Sequence, residues 1–288
     1  MTHDFAKLNR ADLVWGSRRL SLSTHIHVMG ILNITPDSFY AGSRIDGPAR
    51  ARESAEEMIT AGADILDIGG ESTRPGSEPV SEAEERARVI PCIRAVRERS
   101  HILISIDTRK HSVAEAALEA GADMVNTVGG LADDDEFADF IARVGVPVVL
   151  MHMRGTPATM QHHPHYDDPL GEVTAELNAL ADHARERGID ASRIILDPGI
   201  GFGKRVGDNL ALIAGVDRIR ALGYPVLIGL SRKSFLEKVT GRPIGQRLAG
   251  TIAANTVAVL KGADILRVHD VAEAVDAVRL AEAVRDLM

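Results

Sequence analysis

The residues of this chain able to do chemistry recur in one place, immediately after a short apolar run. Asn33 follows His27-Val28-Met29-Gly30-Ile31-Leu32, Asp107 closes Ile102-Leu103-Ile104-Ser105-Ile106, and Asn126 follows Met124-Val125. Met151-His152-Met153 ends Val146-Pro147-Val148-Val149-Leu150, and Asp197-Pro198-Gly199 ends Ile194-Ile195-Leu196. Lys233, within Ser231-Arg232-Lys233-Ser234, follows Val226 to Leu230, and Arg267-Val268-His269 follows Ile265-Leu266. A carboxylate at such a point is partly desolvated and must be paired or hydrogen-bonded. Asp107, Asn126 and Asp197 together could hold a flat heterocycle by its edge. Carboxylates accept from amino and ring N–H groups, and an amide both donates and accepts. Lys233, Arg267 and His269 carry the opposite charge, and Arg267 and His269, two apart on an extended segment, share one face. Arg74, in the loop Glu71-Ser72-Thr73-Arg74-Pro75-Gly76 after Ile65 to Ile68, adds another cation. If these groups meet, they suit a substrate with a donor-rich ring at one end and an anion at the other. The plainer alternative is that the aspartates cap helices and that Arg232, Lys233 and Arg267 only neutralise them.

The elements that would bring them together follow from the runs. There are eight, rich in Ile, Val and Leu and apolar on consecutive residues, as strands buried on both faces are. Between them lie helical patterns, over Ala49 to Ala61, Val113 to Ala120 and Glu172 to Arg187 among others. A tripeptide repeats at three helix-to-strand junctions, Gly62-Ala63-Asp64, Gly121-Ala122-Asp123 and Gly262-Ala263-Asp264. Glycine there can take the left-handed turn that ends a helix, and Gly145 and Gly223 are expected to do the same. Eight strand-then-helix units whose polar groups all emerge at strand C-termini predict an α/β fold, a single (β/α)8 TIM barrel with its site at that end. The first strand is followed by Asn33-Ile34-Thr35-Pro36-Asp37, without the glycine-rich turn of a doubly wound sheet. The barrel is assigned to residues 27–288, and residues 1–26 to an N-terminal extension expected as a hairpin over the barrel floor. Gly155 to Pro169 reads as a long loop.

Composition narrows the function classes. No apolar stretch approaches the ~18 residues of a membrane span, and a net charge of −8 argues against a broad nucleic-acid footprint. Cys92 is the single cysteine, so no intrachain disulfide forms. The opening Met1 to Lys7 lacks an export pattern. A soluble, cytoplasmic protein is expected. His162-His163-Pro164-His165 lacks HExxH-type spacing and reads as exposed loop, Gly201-Phe202-Gly203-Lys204 as a tight turn rather than a phosphate loop, and Asp133 to Glu136 as the acidic start of a helix.

Longer stretches carry a resemblance. Met29 to Phe39 (MGILNITPDSF), Gly69 to Gly76 (GGESTRPG), Ser105 to Thr108 (SIDT), Met151 to Pro157 (MHMRGTP), Asp197 to Lys204 (DPGIGFGK), Ser231 to Ser234 (SRKS) and Arg267 to Val271 (RVHDV) resemble, in order, the signatures of the dihydropteroate synthase family of pterin-binding enzymes. The resemblance implies a TIM barrel, usually a homodimer, that joins 6-hydroxymethyl-7,8-dihydropterin diphosphate to p-aminobenzoate in folate biosynthesis and is a sulfonamide target. It implies that Asp107, Asn126, Asp197 and Lys233 hold the pterin, with Met151 and Gly229 as further substrate contacts. Asn33 would bind Mg2+ with the diphosphate, and Arg267 and His269 would grip the diphosphate. Phe39, Thr73, Pro75 and Ser234 would form the aminobenzoate pocket, with Arg74 organising its loop. The mechanism implied is dissociative and needs no nucleophilic side chain. Three stretches depart from the family pattern: Tyr40-Ala41-Gly42-Ser43 in the first loop, Thr127 after Asn126, and Asp208-Asn209. Two other readings stand beside the synthase, a non-catalytic or sulfonamide-insensitive pterin-binding paralogue and a pterin-dependent methyltransferase.

Overall fold

In a computed structural model the apolar runs become the staves of one parallel barrel. The structure describes residues 12–35, 47–72, 79–129, 131–132, 134–156, 159–161, 163–285 and 287. A hairpin comes first, β1 (Leu13–Trp15) antiparallel to β2 (Arg18–Leu20). The barrel strands are β3 (His27–Asn33), β4 (Ile65–Gly69), β5 (Leu103–Asp107), β6 (Met124–Val128), β7 (Val148–Met151), β8 (Ile194–Asp197), β9 (Leu227–Gly229) and β10 (Ile265–Val268). They pair in parallel in the order β8-β7-β6-β5-β4-β3-β10-β9. The last seam closes where Leu196 N–H donates to the Pro225 carbonyl at 2.9 Å, beside a parallel bridge from Leu196 to Val226. Around the outside run α1 (Gly47–Thr60), α2 (Glu82–Arg97), α3 (His111–Glu119), α4 (Asp135–Val144), α5 (Pro169–Glu186), α6 (Val206–Ala214), α7 (Val216–Arg220), α8 (Ser234–Thr240), α9 (Leu248–Leu260) and α10 (Val271–Arg285).

Alternation along each strand sorts the apolar residues into two cores. One parity (Val28, Leu66, Ile68, Ile104, Ile106, Val125, Leu196 and their like) packs outward under the helices. The other parity fills the barrel, where Met29, Ile65, Met124, Val149, Ile195, Leu227 and Ile265 form a layer at the strand N-termini. Leu13, Trp15, Leu20 and Leu22 pack beneath that layer, so the hairpin plugs the floor. The open end is therefore the C-terminal one.

Local chemistry sets the element ends. In the repeated tripeptide the glycines take φ of +100°, +110° and +103°. The aspartates that follow accept from the N–H groups of Val28, Ile104 and Val226 at 2.8, 2.8 and 2.9 Å. Each repeat thus ends a helix and clamps the start of the neighbouring strand. Gly145 and Gly223 are left-handed as expected. Asp134 caps α4 through the Phe137 N–H at 2.9 Å, which explains the acidic helix start. No helix among the described residues is long and apolar enough to cross a membrane.

Candidate active site

The inward parity that builds the floor layer continues up the strands into polar residues. Above Ile65 comes Asp67, above Leu103 come Ser105 and Asp107, and above Met124 comes Asn126. Above Val149, Ile195, Leu227 and Ile265 come Met151, Asp197, Gly229 and Arg267, and Asn33 ends β3 on the same parity. Register places Asp107 beside Asn126, Met151 beside Asp197, Gly229 beside Arg267 and Asn33 beside Gly69. Residues spread over most of the chain thus line one mouth because each sits an even number of steps above a floor residue.

At the centre of that mouth the Arg267 Nε donates to Asp67 at 2.6 Å and its Nη2 to Asp107 at 2.7 Å. Asn126 Nδ2 donates to the same Asp67 oxygen at 3.0 Å. Asp67 is fully buried, and its other oxygen has no protein partner. The sequence reading missed this residue, although a single carboxylate inside the run Ile65 to Ile68 was the signal: a buried charge needs a partner. Burial, opposed by Arg267 and reinforced by Asp67, pushes the Asp107 carboxyl well up from the ordinary range.

Asp197 and Lys233 form the opposite wall. Asp197 accepts from the Gly199 N–H at 2.7 Å within the Asp-Pro-Gly turn, which fixes the carboxylate and leaves its second oxygen for a ligand. A Cβ on Gly199 would lie 2.0 Å from the His152 carbonyl oxygen at a φ of +64°, so only glycine makes this turn. Lys233 stands just before α8, donates to the Ile200 carbonyl and lies 4.5 Å over the Phe202 ring. Burial lowers its ammonium to about 8 while Asp197 opposes the shift. Asp197 is raised by burial and held back by Lys233. A Cβ on Gly229 would sit 3.8 Å from the Arg267 Cβ and 3.9 Å from the Lys233 Nζ, so this glycine marks where the two walls meet.

A buried polar layer supports the Asp197 turn. Lys204 donates to Gly199 O, Phe202 O and His152 Nδ1, each at 3.0 Å, and burial brings it down to about 7. His152 Nε2 lies 2.7 Å from Glu176, which Arg154 also holds. On the other side Lys110 joins Glu71, at 2.5 Å, to the buried Glu85. That ties the start of the loop after β4 to α2.

The remaining expected residues divide. The extended segment expected through His269 stops at Val268, because 269 is a bend where the His269 N–H and ring Nδ1 lie 3.1 and 2.9 Å from the Ser231 hydroxyl. Arg267 and His269 therefore do not present one flat face: Arg267 reaches across the barrel, and His269 docks on the loop leading to Lys233. Arg232 pairs with Asp270, with Nε 2.9 Å from its carboxylate, and Ser234 is exposed at the first turn of α8. Phe39, Thr73, Arg74 and Pro75, and with them Tyr40 to Ser43, lie outside the described residues. Thr127 points outward from β6 and is buried, away from the mouth. Asn209 accepts from the Gly201 N–H at 2.7 Å, and Asp208 pairs with Arg205 at the start of α6. His163 and His165 are exposed, as expected of that loop.

Comparison with known proteins agrees with this geometry. The family model described as pterin binding enzyme matches residues 29–269. The chain is 44% identical over 270 residues to the dihydropteroate synthase of Synechocystis, covering 93% of this chain and 91% of that protein. Its fold superposes on the Yersinia pestis dihydropteroate synthase solved with a sulfonamide drug at a TM-score of 0.92 and 39% identity, covering 96% of this chain and all of that one. The Xanthomonas albilineans enzyme solved with 4-aminobenzoic acid matches at a TM-score of 0.84 and 44% identity, covering 93% and 96% of the two chains.

Proposed function

The chain belongs to the pterin-binding enzymes, among the dihydropteroate synthases, and from that premise we propose how its own residues divide the reaction. The reaction joins 6-hydroxymethyl-7,8-dihydropterin diphosphate to p-aminobenzoate, releasing diphosphate and giving 7,8-dihydropteroate. The observation that carries the division of roles is the barrel-spanning Asp67–Arg267–Asp107 link with Asn126 on one side and the Asp197–Lys233 pair on the other. Asn126 spends its Nδ2 on Asp67, which turns its amide oxygen to accept from the pterin. Asp197 accepts from the ring's amino and N–H edge, and Lys233 donates to the acceptor edge. Met151 and Gly229 flank the ring. The remaining N–H groups of Arg267 and the His269 ring hold the diphosphate. The aminobenzoate is assigned to Ser234 with Phe39, Thr73 and Pro75, and Arg74 is the cation of the same group.

The bond between the pterin methylene and diphosphate breaks with its electrons leaving on the diphosphate. Positive charge spreads from the methylene into the ring, where Asp107 and Asp197 meet it, a role for preorganised charge. The aniline nitrogen forms the new C–N bond and releases a proton. Mg2+ takes hard oxygen ligands. Asn33 offers a neutral amide oxygen, while Asp107 and Asp197 are already engaged by Arg267 and Gly199. Asn33 would hold the ion there, and Mg2+ so bound would neutralise charge on the leaving group.

We infer a homodimer that buries the outer face of α6, α8 and α9. There the exposed Leu210, Val239 and Val257 line an apolar groove with Ile213, Phe235 and Leu236, as interaction patches do. Cytoplasmic residence is favoured by the lone Cys92, whose thiol is buried and pushed up to about 11.

The test is a coupled assay. Purified chain with Mg2+ and the pterin diphosphate releases diphosphate only when p-aminobenzoate is present, and a sulfonamide competes with p-aminobenzoate. No dihydropteroate at saturating concentrations of both substrates would leave a pterin-binding protein without synthase chemistry.

A further inference from the structure

At the other end of the barrel three side chains that take no part in this chemistry converge. His25 precedes β3, His27 opens it, and Asp64 is the aspartate of the first Gly-Ala-Asp repeat. Their ligand-capable atoms all lie within 4.8 Å of one another, the one such His/Cys/Asp/Glu group among the described residues. His25 Nε2 is 3.1 Å from Asp64 Oδ1, and His27 Nδ1 is 3.5 Å from Asp64 Oδ2.

The hydrogen-bond inventory makes this arrangement unusual. The Thr24 hydroxyl lies 3.1 Å from both the Ser21 carbonyl and His25 Nδ1. His25 Nε2 is hydrogen-bonded to Asp64 Oδ1 at 3.1 Å, a bond in which the carboxylate accepts. His27 Nε2 lies 3.1 Å from the same Ser21 carbonyl, which can only accept, so His27 carries its proton there. Its Nδ1 lone pair then faces Asp64 from a side chain only 4% exposed, and that atom has no hydrogen-bond partner. A buried imidazole nitrogen without a partner thus faces a carboxylate that His25 and the Val28 N–H also hold. Protonating both rings would set two cations with ring centroids 4.1 Å apart. One divalent ion, displacing the proton between His25 and Asp64, satisfies all three groups.

We propose that His25, His27 and Asp64 form a binding site for a first-row divalent transition metal of the zinc class on the barrel floor. Tetrahedral bonds of about 2.0–2.1 Å put donor atoms ~3.4 Å apart, close to the 3.1 and 3.5 Å from the two rings to Asp64. Two imidazoles and a carboxylate form a nitrogen–oxygen set that suits Zn2+, Co2+ or Ni2+ better than Mg2+. Each ligand is also oriented from behind, as metal ligands are: His27 by Ser21 O, His25 by Thr24, and Asp64 by the Val28 N–H at 2.8 Å. His25 is 43% exposed, which gives the ion an entry path and room for a water as fourth ligand. The site lies at the start of β3, roughly 20 Å below its C-terminal end at ~3.3 Å per residue. Its role is structural: the ion staples the segment that follows the floor hairpin to the β3–β4 seam.

The test uses the full chain, stripped with a chelator and titrated with Zn2+ or Co2+ in excess Mg2+. One equivalent binds saturably, raises the thermal midpoint, and as Co2+ gives visible absorption from a low-symmetry site. His25→Ala changes an exposed side chain and leaves the fold intact, yet weakens binding more than ~10-fold and removes the midpoint shift. His27→Gln, with its fold checked by circular dichroism, does the same. Parental affinity in both variants would assign the ion to other histidines and overturn the proposal. So would the absence of a saturable first equivalent, which would mean that protons alone satisfy the cluster.

Discussion

Arg267 holds its Nε 2.6 Å from Asp67 and its Nη2 2.7 Å from Asp107, so one guanidinium from the last strand binds carboxylates from two others. It is partly shielded, and Asp67 is fully buried. Pairing of this kind gives up little net stability when intact and a great deal when one partner is removed, because the other is left charged in a dry place.

Asp67→Ala leaves the Arg267 Nε without its partner while Nη2 stays on Asp107, frees the Asn126 amide to rotate, and should cost about 1–3 kcal/mol in urea unfolding. Asp67→Asn keeps the shape and should cost less stability. It should still lower kcat/KM by ~10-fold or more, since it disorders Asn126 and Arg267, the groups proposed to hold the substrate. An Asp67→Asn enzyme with unchanged kcat/KM would make this link purely structural.

Asp197 should act at the ligand rather than in the fold. Its carboxylate is held by the Gly199 N–H, a bond that the oxygen of an asparagine can keep. Asp197→Asn should therefore unfold near the parent temperature but weaken pterin binding by ~100-fold, about 2.7 kcal/mol, read by calorimetric titration. Near-normal affinity would mean that the pterin docks elsewhere.

The pH profile follows from two shifted groups. Asp107 is raised to about 7 and Lys233 lowered to about 8, both chiefly by burial. If Asp107 must be charged to meet the cation and Lys233 charged to hold the ring, kcat/KM is bell-shaped with limbs at those values. Lys233→Arg should remove the alkaline limb. Stability carries the same signature with its own sign. Between 3.8 and about 7 the folded Asp107 holds a proton that the unfolded chain has lost, so stability falls as pH rises through that window. Between about 8 and 10.5 the folded Lys233 has released a proton that the unfolded chain keeps, so its contribution rises with pH. Asp107→Asn should abolish the first trend alone.

Two glycines should respond in opposite directions. Gly199→Ala forces a Cβ to 2.0 Å from a backbone oxygen at positive φ and should cost at least about 3 kcal/mol. Gly207, in the first turn of α6, meets nothing within 4 Å, and Gly207→Ala should stabilise by about 0.4–1 kcal/mol. Chemical denaturation of the pair distinguishes a required turn from an idle one.

The dimer reading has a direct check. Val257 is 45% exposed on α9 and lines the apolar groove with α6 and α8. Val257→Asp should shift the solution mass from two chains to one with little change in circular dichroism. A parental mass would place the interface elsewhere.

Along the chain, apolar runs followed by Asn33, Asp107, Asn126, Asp197, Lys233 and Arg267 were enough to predict a barrel whose polar groups gather at the strand C-termini. Strand parity and turn chemistry are local, so they are written in order: the Gly-Ala-Asp repeats, the Asp134 cap and the Asp197-Pro198-Gly199 turn behave in space as they read in sequence. Partnership is not local. That Arg267 would reach Asp67 and Asp107 rather than lie beside His269 depends on which strands face each other across a closed barrel, and on a bend at 269 that docks the histidine on Ser231. The importance of Asp67, hidden inside an apolar run, and the meeting of His25 and His27 with Asp64 likewise come from closure. Burial removes water as a partner for each of these groups, and only the folded chain determines which neighbour takes its place.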